Sequence, residues 1–139
     1  MKTKEYLGQW VKLKKYADKC FEELDEVLMI GPKSPQMDGL PRGSGGADIS
    51  ETVAKIEAIR KKAEEARIKA LNALEEIQDV IEAVPDYEEK TILRLRYING
   101  MKWEEVACAM SMGVRNTFCL HGKALQSAEI ERRKRPPHL

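Results

Sequence analysis

Residues 86–125 read DYEEKTILRLRYINGMKWEEVACAMSMGVRNTFCLHGKAL. Their apolar positions fall into three sets at helical spacing: Ile92, Leu93, Leu95 and Ile98; then Trp103, Val106, Ala107 and Met110; then Val114, Thr117, Leu120, Ala124 and Leu125. Asn99-Gly100 separates the first two sets, because both residues tolerate the positive φ needed past a helix end. Ser111-Met112-Gly113 separates the second from the third. A helix of about two turns, a tight Gly-containing break and a longer helix is the pattern of a helix-turn-helix. Ala107 falls midway along the second helix, where the third must cross closely and a small side chain is needed.

On the third helix the inward positions are Thr117, Leu120 and Ala124, which leaves Val114, Arg115, Asn116, Phe118, Cys119, Gly122 and Lys123 facing outward. In a helix-turn-helix the N-terminal part of this helix meets base edges in the major groove. Arg offers a bidentate match to guanine and Asn to adenine. Phe118 is a large apolar side chain with no obvious core to join; it touches thymine methyls or folds back onto the second helix. The candidate DNA-binding residues are therefore Arg115, Asn116, Phe118, Cys119 and Lys123, with Lys102 ahead of the second helix and Arg132 and Arg133 beyond the third. The same spacing also fits a plain three-helix packing unit in which Arg115 and Asn116 are ordinary surface residues.

The run from Arg96-Tyr97 through Gly100 and Trp103-Glu104-Glu105-Val106-Ala107 to Lys123-Ala124-Leu125 resembles the DNA-binding fourth region of bacterial sigma factors. The chain as a whole resembles phage and prophage late-transcription regulators of the RinA/ArpU kind, which place such a module after a long helical half. Leu40-Pro41-Arg42-Gly43 and the ending His121-Gly122-Lys123-Ala124-Leu125 also fit that group. The resemblance implies a phage or prophage late-gene activator that binds double-stranded DNA and also contacts RNA polymerase. It implies no counterpart of the rest of a sigma factor, so promoter opening is not expected of the chain alone. Two positions depart from the sigma pattern: Gly113 stands where Ser or Thr is usual, and Phe118-Cys119 where basic or amide groups are usual. A base preference is therefore not carried over.

Around this stretch the chain has 139 residues, 34% charged and 6% aromatic, which favours elongated helices over a thick core. The net charge is +1, but it is uneven. Residues 1–85 carry 14 basic and 16 acidic groups, net −2, and residues 86–139 carry 10 and 7, net +3. Attraction for phosphate is thus expected in the C-terminal part. Cys20, Cys108 and Cys119 form neither a zinc pattern nor a disulfide framework, and reduced thiols in a cytoplasmic protein are the simplest expectation. The start, MKTKEYLGQW, lacks the apolar run of a signal peptide, and no stretch approaches a membrane span. A bacterial or phage-infected cytoplasm fits this composition.

Two long helices are expected before residue 86. The first runs from about Thr3 to Ile30, with Tyr6, Trp10, Leu13, Ala17, Cys20, Leu24 and Val27 in a heptad stripe. Three Pro and five Gly make residues 31–47 a loop. The second helix starts near Asp48 or Ser50, either of which can cap it, and continues to about Val84. Its stripe is Ile49, Val53, Ile56, Ile59, Ala63, Ala66, Ala70, Leu74, Ile77, Ile81 and Val84. The small residues in its middle suit packing against Trp10, Leu13 and Phe21. The expected fold is all-α: a long antiparallel helical hairpin, a coiled-coil-like arm, over 1–85, a helix-turn-helix module over 86–128 and a basic tail over 129–139. Two helices bury little by themselves, so a homodimer through the arm is expected, one that aspartates at Leu74 and Ile77 would dissociate unless they unfold the arm.

No chemistry of catalysis stands out. Cys119 and His121 are two apart and point to different sides of a helix. His121 and His138 have no local partner, and GSGG at 43–46 lacks the Lys-Ser/Thr of a phosphate loop. No enzyme activity, cofactor or metal is expected. Besides a transcription regulator, two other classes fit the pattern: an oligomeric DNA-packaging adaptor, and a sigma-mimicking protein that occupies polymerase.

Overall fold

The computed structural model describes residues 1–30 and 45–135, with the side chains of Ile30 and 45–48 left aside. These residues are all-α, and no strand occurs among them. The helices are α1 (Thr3–Leu7), α2 (Gln9–Ile30), α3 (Gly45–Ala83), α4 (Tyr87–Leu93), α5 (Trp103–Ala109) and α6 (Val114–Lys134). A π-helical turn, Arg94–Ile98, extends α4. No helix is long and apolar enough to cross a membrane. The chain divides into two compact units, residues 1–12 with 70–139 and residues 13–69. Residues 31–44 of the expected loop and Pro136–Leu139 of the expected tail lie outside the described residues.

The helix expected from Thr3 to Ile30 is interrupted at Gly8. There ψ is −5°, short of the helical value, and the chain bends between α1 and α2. The Gly8 N–H still donates to Lys4 O at 3.1 Å. Helix α3 begins at Gly45, so Asp48 and Ser50 lie inside it and do not cap it.

In the second unit Ala17, Cys20, Leu24 and Ala63 are buried, and the Arg67 guanidinium lies 3.8 Å from the centre of the Phe21 ring. The alanine-rich stretch thus meets Phe21 in part through a cation over its ring face. Ile49 and Val53, expected in the buried stripe, are 66% and 54% exposed. No described residue covers them.

The first unit has one core: Leu7, Ile77, Val80, Ile81, Val84, Ile92, Leu93, Tyr97, Val106, Ala124 and Ala128. Residues 77–84 therefore share a core with α4, α5 and α6. Trp10 joins the edge of this core, where its indole N–H donates to Ile98 O at 3.1 Å. The last carbonyls of a helix lack partners within it, and the π-turn presents one to the indole.

Local chemistry fixes the breaks. Asp86 caps α4, its Oδ2 accepting the Glu89 N–H at 3.1 Å, with Glu88 and Glu89 in the positive first turn. Asn99 N–H bonds to Arg94 O at 2.9 Å, closing the wide turn, and Gly100 takes φ +69°. At the next break Ser111 takes the positive φ, 56°, while Gly113 is extended at φ −70° and ψ 157°. Gly113 is the N-cap of α6 and offers no side chain to cap it; the Thr117 hydroxyl donates back to Gly113 O at 2.9 Å.

Candidate functional site

Helix α6 is two-faced. Thr117, His121, Ala124 and Ala128 are buried, at steps of four, three and four. They pack toward α4 and α5, and Ala107 is buried on α5, as the expected close crossing requires. Ser127 donates to the Glu89 carboxylate, which ties α6 to α4. Val114, Arg115, Asn116, Phe118, Cys119, Gly122 and Lys123 are exposed, as their spacing indicated. Arg115 and Lys123 make no ion pair or side-chain hydrogen bond with another described residue.

Beneath that outward face is an aromatic stack. Trp103, the first residue of α5, meets Phe118 edge-on at 5.1 Å and His121 edge-on at 4.5 Å. On its other side the Arg96 guanidinium lies 4.5 Å from the ring centre and donates to Met101 O at 2.7 Å. Phe118 thus folds back onto α5, yet 48% of it stays exposed. His121 is 7% exposed and its Nε2 lies 2.7 Å from Tyr97 Oη. Burial, with Lys4 and Arg96 nearby, pushes His121 down to about 4. Burial pushes Tyr97 up to about 12, against the pull of Arg96. Near neutral pH the pair is therefore an uncharged imidazole against an uncharged phenol, the form that tolerates a dry site.

His121 was expected to have no local partner; its partner Tyr97 lies 24 residues earlier. The signal was present, because His121 completes the 4-3-4 spacing of Thr117, Ala124 and Ala128. Cys119 is exposed while His121 is buried, so the two do face apart.

The structure groups Arg115, Asn116, Phe118, Cys119 and Lys123 on one stretch of α6. Lys102 is exposed at the start of α5, where its backbone N–H donates to Glu105 Oε1 at 2.8 Å. Arg132 and Arg133 are separate, roughly 25 Å along α6 from Arg115 at the usual helical rise. They belong to the helix, which continues to Lys134. Arg132 is half-buried over the Tyr6 ring at 4.8 Å and, with Arg133, pairs with Glu129 at 3.3 and 2.9 Å. Arg135 pairs with Asp79 at 3.3 Å. Arg132 and Arg135 are thus engaged within the fold, whereas Arg133 stays exposed and Arg115 and Lys123 have no partner among the described residues.

Fold and site together define an all-helical protein with an outward, cation-bearing face on its last helix. The chain belongs to the family described as Protein of unknown function (DUF1492), whose model matches residues 44–129, from just before α3 into α6. No curated protein matches the chain, and no solved structure matches it.

Proposed function

We propose that the protein is a sequence-specific DNA-binding transcription regulator, with α5 and α6 as a helix-turn-helix and α6 as its reading helix. One observation carries this reading: α6 buries one face on α4 and α5 and leaves Arg115 and Lys123 outward without a partner among the described residues. Arg115 and Asn116 stand at the N-terminal end, which enters the major groove in such motifs. Phe118, held by Trp103, offers its free surface to thymine methyls. Lys123, about two turns on from Arg115, meets a phosphate strand. The resemblance to sigma region four and to phage late regulators adds a late-gene promoter as the target and RNA polymerase as a second partner. The reading involves no reaction, cofactor or metal.

Selection of duplexes from a random pool tests the reading. Arg115→Ala is expected to cost roughly 1–3 kcal/mol on the selected duplex and to relax preference at one base pair. Lys123→Ala should weaken all duplexes about equally and flatten the salt dependence by roughly one unit of slope. Retention of polymerase without any duplex would favour the sigma-mimicking class, and a ring of many copies the packaging class.

A second copy of the chain belongs to this proposal, as a dimer through a helical hairpin arm over residues 1–85. Ile49 and Val53, one turn apart on α3, supply exposed apolar surface for it. Sedimentation should give a dimer that Val53→Asp dissociates without loss of helicity. A monomer at tens of micromolar would remove this partner.

A further inference from the structure

Gly122 lies within the 21-residue helix α6, and its neighbourhood in the fold is empty. A Cβ built there meets nothing within 4 Å, and the backbone carries no positive φ. The described fold therefore has room for any small side chain at 122 and no conformational need for glycine. Glycine is nonetheless the poorest helix former after proline, so its presence weakens α6. No contact within the described chain offsets that cost.

Its position suggests what does. Gly122 follows Arg115 by seven residues, which is about two turns and the same side of the helix. Cys119, another small residue, lies between them on that side, and Lys123 is the next residue. Thr117, His121 and Ala124 occupy the opposite, buried side. A partner that Arg115 reaches thus passes directly over Gly122. Removing Cβ lets that partner approach the helix backbone more closely than any other residue would allow. The surroundings decide its chemistry. A second helix packed on a glycine needs an apolar rim, whereas here the neighbours are Arg115, Asn116, Cys119 and Lys123. A polyanionic strand suits them.

We propose that Gly122 is the point where a sugar–phosphate strand of duplex DNA lies against α6, so that this glycine sets how deeply the reading helix sits in the groove. The proposal rests on α6 being a DNA-reading helix. Gly122 is a positioning residue in it; Arg115 reads, and Lys123 supplies charge beside the contact. A methyl group at 122 holds the strand away and weakens the contacts on either side of it.

The test uses the full chain and the duplex it selects from a random pool. Gly122→Ala is expected to raise the thermal midpoint by a few degrees, because alanine favours the helix and meets no obstacle. The same variant should weaken binding at least tenfold, on the selected duplex and on an unrelated duplex of equal length alike. Arg115→Ala, run in parallel, should lose affinity for the selected duplex only. Opposite signs in stability and binding separate a contact with DNA from a structural role. Gly122→Ala binding within twofold of wild type overturns the inference, as does a loss confined to the selected duplex. So does a lowered midpoint, which would show that the fold itself requires the glycine. A wild-type chain that retains no duplex at low salt overturns the DNA reading itself, and binding by wild type with an unaffected Gly122→Ala overturns only this inference.

Discussion

Lowering the pH from 6.5 to 4 is expected to remove about 3 kcal/mol of folding stability through His121 alone. The folded protein holds this imidazole at about 4, against 6.5 when free, with burial as the main cause and Lys4 and Arg96 adding to it. The unfolded chain therefore binds the proton first. Between those two values it carries more protons than the native state, and stability falls as pH falls. Above 6.5 and below 4 the group contributes no further slope. The structural cause is the packing of His121 against Trp103 and Tyr97, which keeps the imidazole largely away from solvent. His121→Gln keeps a hydrogen-bonding side chain beside the Tyr97 hydroxyl and has no proton to gain. Urea denaturation at pH 7 and pH 4 should show wild type losing about 3 kcal/mol more than this variant. Carboxylates titrate in both proteins, so the difference isolates residue 121. An equal loss in both would mean that His121 is hydrated in the native state.

Much of the first unit was legible because it depends on local rules. The 3.6-residue period located α4, α5 and α6, and the outward set from Val114 to Lys123 followed from the inward one. Asn99-Gly100 marked a break, and Gly100 does take the positive φ. Features that depend on distant partners were not legible. The role of Trp10 required knowing that a π-turn would leave Ile98 O open 88 residues later. His121 was set aside as a polar residue without a neighbour, although its spacing placed it inward; the phenol that satisfies it comes from another helix. The break at residues 111–113 was located correctly, but not which of its residues would take the left-handed conformation: Ser111 does, although it has a Cβ and Gly113 has none. Charge was the least informative signal. Arg132 and Arg133 read equally well as phosphate contacts or as a solvated end, and the run gave no sign that Glu129 on the same helix would pair with both.

Ile77 gives the largest expected effect of substitution. From the sequence the far part of its stripe was left for either the C-terminal module or a second copy to cover, with aspartate at Leu74 and Ile77 dissociating a dimer or unfolding the arm. Ile77 is fully buried within a single chain, in the same core as Leu7, Ile81, Leu93 and Val106. The unfolding outcome is therefore the one expected. Ile77→Ala removes buried methyl and methylene groups and leaves a cavity, at a cost of roughly 2–5 kcal/mol. Ile77→Asp adds a carboxylate with no cation facing it in that core. The total stability of a domain this size is about 5–15 kcal/mol, so the aspartate variant should lose its cooperative melt at 25 °C, whereas the alanine variant should melt early but cooperatively. Circular dichroism against urea checks both. Arg115→Ala is the control, since Arg115 is exposed and its replacement should leave the urea midpoint within experimental error. An Ile77→Asp protein that stays folded and only changes its sedimentation mass would place Ile77 at an interface between copies instead of in the core of one chain.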